Sequence, residues 1–159
     1  MILVLLGTQN NSFHRLLEEI DKLKNNGIIT DNVIVQAGHT KYESNNMDII
    51  DLMPKDKLDQ YISTADIIIT HGGVGSIIST IKKGKKTIAV PRLHKYGEHV
   101  NDHQIQIVQM FNEKGYIIGL KDVTELENAI KKIDTFKPSK YQQNNEKMLK
   151  TISNFIDEL

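Results

Sequence analysis

The amino-acid sequence predicts an α/β fold: an open, mostly parallel sheet with helices on both of its faces. Three observations carry this. Six short apolar runs, at residues 2–6, 33–37, 49–52, 67–70, 87–90 and 116–120, have the length of strands, and several are rich in β-branched residues. Longer amphipathic stretches separate most of them. Strands alternating with helices need crossover connections, and crossovers make neighbouring strands parallel. At 159 residues the chain is the size of one ordinary domain.

The first run, Ile2-Leu3-Val4-Leu5-Leu6, has no basic flank and gives way to polar residues, so it reads as a buried strand rather than a signal peptide. Residues 13–26 then set Phe13, Leu16, Leu17, Ile20 and Leu23 on one helical face and stop at Gly27. Segments 55–64, 74–83, 99–114 and 123–133 carry similar stripes. Residues 136–145 are polar, contain Pro138 and read as a connector. Beyond it, Met148, Leu149, Ile152, Phe155, Ile156 and Leu159 form the stripe of a last helix, which packs on its own sheet or docks on a partner. Two regions result: an α/β domain over residues 1–135, and a connector with an amphipathic helix over 136–159.

Composition narrows the function. Twenty Lys and Arg residues balance twenty Asp and Glu, and no basic run interleaves with aromatics, which argues against a nucleic-acid partner. Without cysteine there is no disulfide and no thiolate nucleophile, in keeping with a reducing, cytoplasmic setting. No run approaches the roughly 18 apolar residues of a membrane span, so membrane contact is expected to be peripheral or borrowed from a partner.

In open parallel sheets, ligands collect beyond the carboxyl ends of the strands. The unusual residues of this chain fall there: Gly7-Thr8-Gln9 after the first strand, Gly38-His39-Thr40 after the second, Met53-Pro54 after the third, 71–76 after the fourth and 92–104 after the fifth. In His71-Gly72-Gly73-Val74-Gly75-Ser76 the glycines allow close backbone approach, and the unpaired amides of the following helix favour an anion. Helix-end stabilisation of an anion is only about 0.3–1 kcal/mol when exposed, so His71, Ser76 and Arg92 are candidate direct donors. A tight turn that merely packs a helix on the sheet is the structural alternative.

Neither common phosphate motif fits. A P-loop carries a lysine after its final glycine, whereas Ser76-Ile77 follows Gly75, and a dinucleotide fingerprint belongs after the first strand, where only Gly7 occurs. The stretch from Arg92 to Gln104 is dense in donors and acceptors, which suits a sugar. His99 and His103, four residues apart with Glu98 and Asp102 nearby, raise a metal site as a rival, but the internal glutamate of a zinc-protease motif is missing. Asn101 or Asp102 would serve equally as a helix cap.

At these residues the chain resembles the carboxy-terminal, Rossmann-like, nucleotide-sugar-binding domain of GT-B glycosyltransferases of the family 28 type. It is similar in particular to the small cytosolic subunit of two-component UDP-sugar transferases, including the eukaryotic UDP-N-acetylglucosamine transferase. The likeness runs from Gly7-Thr8 and Phe13 through residues 33–38 and 65–91 to 101–104. Pro91-Arg92 followed by Tyr96-Gly97-Glu98-His99-Val100-Asn101-Asp102-His103-Gln104 is nearest the bacterial capsule and exopolysaccharide β-1,4-galactosyl or glucuronosyl transferases.

The resemblance implies that Gly7 and Thr8 approach the diphosphate and the acceptor side, and that backbone near Met53 meets the uracil edge, with Gly38 and Gly72 in the same substrate-binding set. His71, Gly73, Gly75 and Ser76 would hold the diphosphate, with His71 and Arg92 stabilising the leaving group. Asp102, His103 and Gln104 would contact the donor sugar, joined by Glu98 and Asn101. Ser79 stands where many relatives carry a ribose-binding glutamate. The resemblance further implies no cofactor or metal beyond the UDP-sugar donor, and no general base in this chain. The base would sit on a membrane-anchored partner subunit that binds a lipid-linked saccharide acceptor and recruits this chain to the inner face of the membrane. A nucleotide-sugar sensor or scaffold without catalysis is the alternative from another class.

Overall fold

The computed structural model describes residues 1–142. The six strands are β1 (Ile2–Leu5), β2 (Val33–Gln36), β3 (Asp48–Ile50), β4 (Ile67–His71), β5 (Lys86–Val90) and β6 (Ile118–Gly119). They form one sheet of order β3-β2-β1-β4-β5-β6, in which every pair is parallel. Among the described residues, four α-helices lie between strands, α1 (His14–Asn25), α2 (Lys55–Thr64), α3 (Val74–Ile81) and α4 (His103–Glu113), and α5 (Leu126–Lys132) follows β6.

Alternation along the strands assigns the faces. Ile2, Val4, Ile67, Ile69, Ile88 and Val90 join Phe13, Leu16, Leu17, Ile20 and Leu23 of the α1 segment and Leu126 and Ala129 of α5 in one core. On the opposite face Leu3, Leu5 and Ile68 pack with Ile62 of α2, and Ala89 packs with Ile77 and Ile81 of α3 and with Ile107, Val108 and Phe111 of α4. The fully buried Phe13 and Phe111 are among the largest side chains in these layers.

The helix expected over residues 99–114 begins only at His103. The Asn101 side chain accepts from the His103 N–H (3.0 Å), which starts the helix there, while the Asp102 carboxylate turns back to the His94 N–H (2.9 Å). His99 therefore precedes the helix, and the one-turn pairing of His99 with His103 on a helical face does not form. Similarly, the segment expected as a helix from 123 opens with a tight turn, Val123–Glu125, whose Thr124 N–H bonds to Asp122. The connector is held at its start by Ser139 N–H donating to Gly115 O and by Tyr141 set edge-on to Tyr116 at 5.6 Å. The expected terminal helix lies outside the described residues.

Strand order reverses between the central pair: the chain moves outward from β1 to β3 on one side and from β4 to β6 on the other. Loops leaving β1 and β4 diverge there and open a crevice at the carboxyl edge. Gly38 supports the floor of this crevice. Its φ is +60°, and a Cβ placed on it would lie 2.3 Å from the Gly7 carbonyl oxygen. Gly38→Ala combines left-handed strain of about 1–2 kcal/mol with a backbone clash. Gly27, at φ +75° with open space around it, carries the strain alone. Thermal unfolding is therefore expected to show Gly38→Ala as clearly more destabilising than Gly27→Ala.

Candidate functional site

The crevice is a cleft of about 450 Å³, a volume in the usual range for small-ligand sites. Leu5, Gly7, Thr8 and Gln9 from the end of β1 form one wall, and His71, Gly73, Gly75, Ser76 and Ser79 from the β4–α3 junction form another. Leu52, Met53, Lys55, Leu58, Asp59 and Ile62 close it from the β3–α2 side, with Gln36 below. The cleft is thus divided: an apolar end built on Leu5, Leu52, Leu58 and Ile62, and a polar end at the start of α3.

At the polar end the chain leaves β4 at His71 and enters α3 at Val74. Gly73 precedes the helix without a side-chain cap, so the first-turn amides have neither a capping side chain nor an intrahelical carbonyl. A Cβ on Gly75 would meet nothing within 4 Å, so the helix start is open to the cleft. Gly7 and Gly73 have the opposite surroundings. A Cβ on either would lie 2.5 Å from the His71 ring, which is held between the two loops.

His71 is 4% exposed. Burial, reinforced by the positive charge of Arg92 and by His99, lowers its pKa to about 3, so the imidazole is neutral in the physiological range. Its Nε2 lies 3.1 Å from Ser76 Oγ and its Nδ1 3.3 Å from the Gln104 amide nitrogen.

Seven residues expected at the site line the cleft: Gly7, Thr8, Met53, His71, Gly73, Gly75 and Ser76. Others are placed differently. Arg92, expected as a donor to the leaving group, is 1% exposed; Nη1 donates to the carbonyls of Asn11 and Glu98 and Nη2 to that of Leu6. Burial pulls its pKa down to about 10 against the opposing pull of Glu98, so it stays a cation and acts on the site through its field. Glu98 is also buried, its carboxylate taking a two-point ion pair from Arg15 (2.8 and 3.1 Å) and the Leu93 N–H (3.0 Å). Gln104, expected on the sugar, is 2% exposed, and its carbonyl accepts from the Gly72 and Arg92 N–H groups at 3.0 Å each.

Gly72 is packed against Gln104 and Val108 behind the loop, and Gly38 lies beneath Gly7. Asn101, Asp102 and His103 stand at the start of α4 and are not in the cleft lining; Asp102 instead lines a separate pocket with Leu93, Tyr96 and Ile105. Sequence reasoning missed Lys55 and Asp59, the ammonium and the carboxylate of the cleft wall. Both lie on α2 one turn apart, on the edge already singled out by the strand ends, and that spacing was the signal available.

A neutral buried histidine ties stability to pH. The folded-state pKa of His71 is depressed, and that of His99 is lowered by burial, Arg92 and His103, so below about 6.5 the unfolded chain binds protons that the folded chain does not. Stability is then complete above that value and is lost as pH falls toward the folded-state pKa values. Urea unfolding is expected to give constant stability from pH 8 to 7, then a decline between pH 6.5 and 5 of up to about 1.4 kcal/mol per pH unit from His71, with His99 adding in the same direction. His71→Asn should flatten part of that decline.

The fold is shared with known proteins. A solution structure of ALG13 overlays 95% of this chain and 93% of its own with a TM-score of 0.60 at 18% identity. The crystal structure of the kitacinnamycin glycosyltransferase covers 99% of this chain and 38% of its own, with a TM-score of 0.57 at 15% identity. In sequence, 100 residues are 27% identical to the UDP-N-acetylglucosamine transferase subunit ALG13 of Candida albicans, over 63% of this chain and 32% of that protein. The chain therefore matches only part of that relative's length. The six-stranded parallel sheet with its helices is the architecture of the carboxy-terminal half of a GT-B enzyme. The family model described as the glycosyltransferase family 28 C-terminal domain matches residues 1–159, and the chain belongs to that family.

Proposed function

We propose that the cleft binds a UDP-sugar, and that the chain is the donor-binding subunit of a heteromeric, inverting glycosyltransferase. It would transfer a hexose to a lipid-linked saccharide in cell-surface polysaccharide synthesis, as in capsule or exopolysaccharide assembly. The carrying observation is the division of the cleft: an apolar end, suited to a base, lies next to an open, donor-rich helix start, suited to a diphosphate. In this reading Leu5, Leu58 and Ile62 pack on the uracil, whose edge meets backbone near Met53. The Asp59 carboxylate accepts from the ribose hydroxyls, a role that Ser79 is too short to fill. First-turn amides of α3 and the Ser76 hydroxyl take the diphosphate.

The donor sugar, continuing past the diphosphate, would reach Asn101, Asp102 and His103, since Gln104 joins the start of α4 to the phosphate loop. During transfer an acceptor oxygen attacks the anomeric carbon, the bond from that carbon to the diphosphate breaks, and charge develops on UDP. The α3 amides and Ser76 stabilise that charge without requiring a metal. The acceptor proton needs a base. His71 is unsuited to this, because both of its ring nitrogens already face protein partners. The base is assigned to a membrane-anchored partner subunit, in line with the description of the Candida albicans relative as a subunit.

Calorimetry is expected to show UDP and UDP-sugars binding, uridine binding more weakly, and EDTA leaving the UDP affinity within about twofold. Asp59→Asn should weaken UDP and uridine alike by roughly 10-fold or more, the worth of a hydrogen bond to a charged group. Transfer by the purified chain should be negligible and should appear on addition of the partner. Robust turnover without a partner would overturn the half-enzyme reading, and no UDP binding with the partner present would favour a scaffold.

A further inference from the structure

We infer that Gln104 is a positioning residue: by fixing which nitrogen of His71 carries the proton, it turns the Ser76 hydroxyl into an obligate donor toward the cleft. This rests on the donor-site reading only for the identity of the anion. Two backbone N–H groups converge on the Gln104 carbonyl oxygen, those of Gly72 and Arg92, each at 3.0 Å. Only an oxygen can accept both, so the orientation of the side-chain amide is determined by its partners. Its nitrogen must then face His71 Nδ1, at 3.3 Å. An amide nitrogen can only donate, so Nδ1 is an acceptor and carries no hydrogen.

A neutral imidazole has one N–H, and with Nδ1 bare that hydrogen sits on Nε2. Nε2 is 3.1 Å from Ser76 Oγ, so the ring donates and the hydroxyl oxygen accepts. The hydroxyl hydrogen is thereby left for another acceptor. Ser76 lies in the first turn of α3 and lines the cleft beside Gly75. A phosphate oxygen there receives a hydrogen bond from Ser76. With the opposite tautomer, Ser76 would donate inward and present a lone pair to the same oxygen. Gln104 itself is buried and stands 28 residues beyond Ser76 in the sequence, so it acts through His71 rather than on the ligand.

The wild-type protein gives the first test, by long-range proton–nitrogen correlation spectra of the His71 ring. Expected is a pyrrole-type Nε2 and a pyridine-type Nδ1 from pH 8 to 5.5; a protonated Nδ1 overturns the proposal. The second test is a double-mutant cycle read by UDP affinity, with uridine as the probe lacking phosphates. Ser76→Ala and Gln104→Met should each weaken UDP about tenfold while changing uridine little, and the double variant should be no weaker than Ser76→Ala alone. Additive losses, or equal losses for uridine, would reduce Gln104 to a structural role. If Gln104→Met does not fold, the ring spectrum of the wild type still decides. Should UDP fail to bind wild type, the donor-site reading falls, and the ring spectrum separately upholds or rejects the tautomer.

Discussion

A guanidinium buried at the carboxyl edge of a sheet must find acceptors, and here the loops that provide them are the loops that build the cleft. Arg92 binds the carbonyls of Leu6 and Asn11 in the loop after β1 and of Glu98 in the loop after β5. Its side chain also lies over the Phe13 ring at 5.2 Å. Removing such a group from water is costly unless its hydrogen bonds are replaced, so the loops are held where Nη1 and Nη2 find carbonyl acceptors, while Nε is buried without one. Its charge has a second effect. It disfavours a proton on the neighbouring His71, and the neutrality of that ring is what makes its hydrogen-bond polarity definite.

Much of this was legible in the sequence, for a physical reason. Buried parallel strands must be apolar runs, and β1, β2, β4 and β5 were found within one residue of their ends. Parallel strands send their carboxyl ends to one edge, so the residues after β1, β3 and β4 could be gathered into one site before any contact was known. What failed was the sorting of polar residues into exposed and buried. Arg92, Glu98 and Gln104 lie in a polar stretch and were read as facing a sugar. Their burial depends on partners far away in the chain: Leu6 is 86 residues from Arg92, and Arg15 is 83 from Glu98. No local pattern encodes that separation. The start of α4 was a smaller miss: Asn101 and Asp102 were both named as candidate caps, and the helix was begun four residues too soon.

The division of labour in the fold is also physical. Core layers fix the strand ends, Arg92 and Gln104 join the loops behind the site, and at the start of α3 the cleft-facing residues Gly73, Gly75, Ser76 and Ser79 are short. Short side chains on a braced backbone lose little conformational freedom when a ligand arrives, so little binding energy is spent on ordering them. Lys55 and Asp59 differ, being longer or more exposed side chains on a helix at the apolar end.

The His71 ring, enclosed by Gly7 on one side and Gly73 on the other, also bears on how such a site can diverge. Any side chain at either glycine would displace the imidazole and with it the contacts to Ser76 and Gln104. The floor of the site is therefore closed to gradual mutational exploration. Positions on the α2 wall, such as Lys55 and Asp59, do not enclose the ring in this way. Substitutions on that wall can therefore accumulate one at a time, while Gly7, His71 and Gly73 change only together.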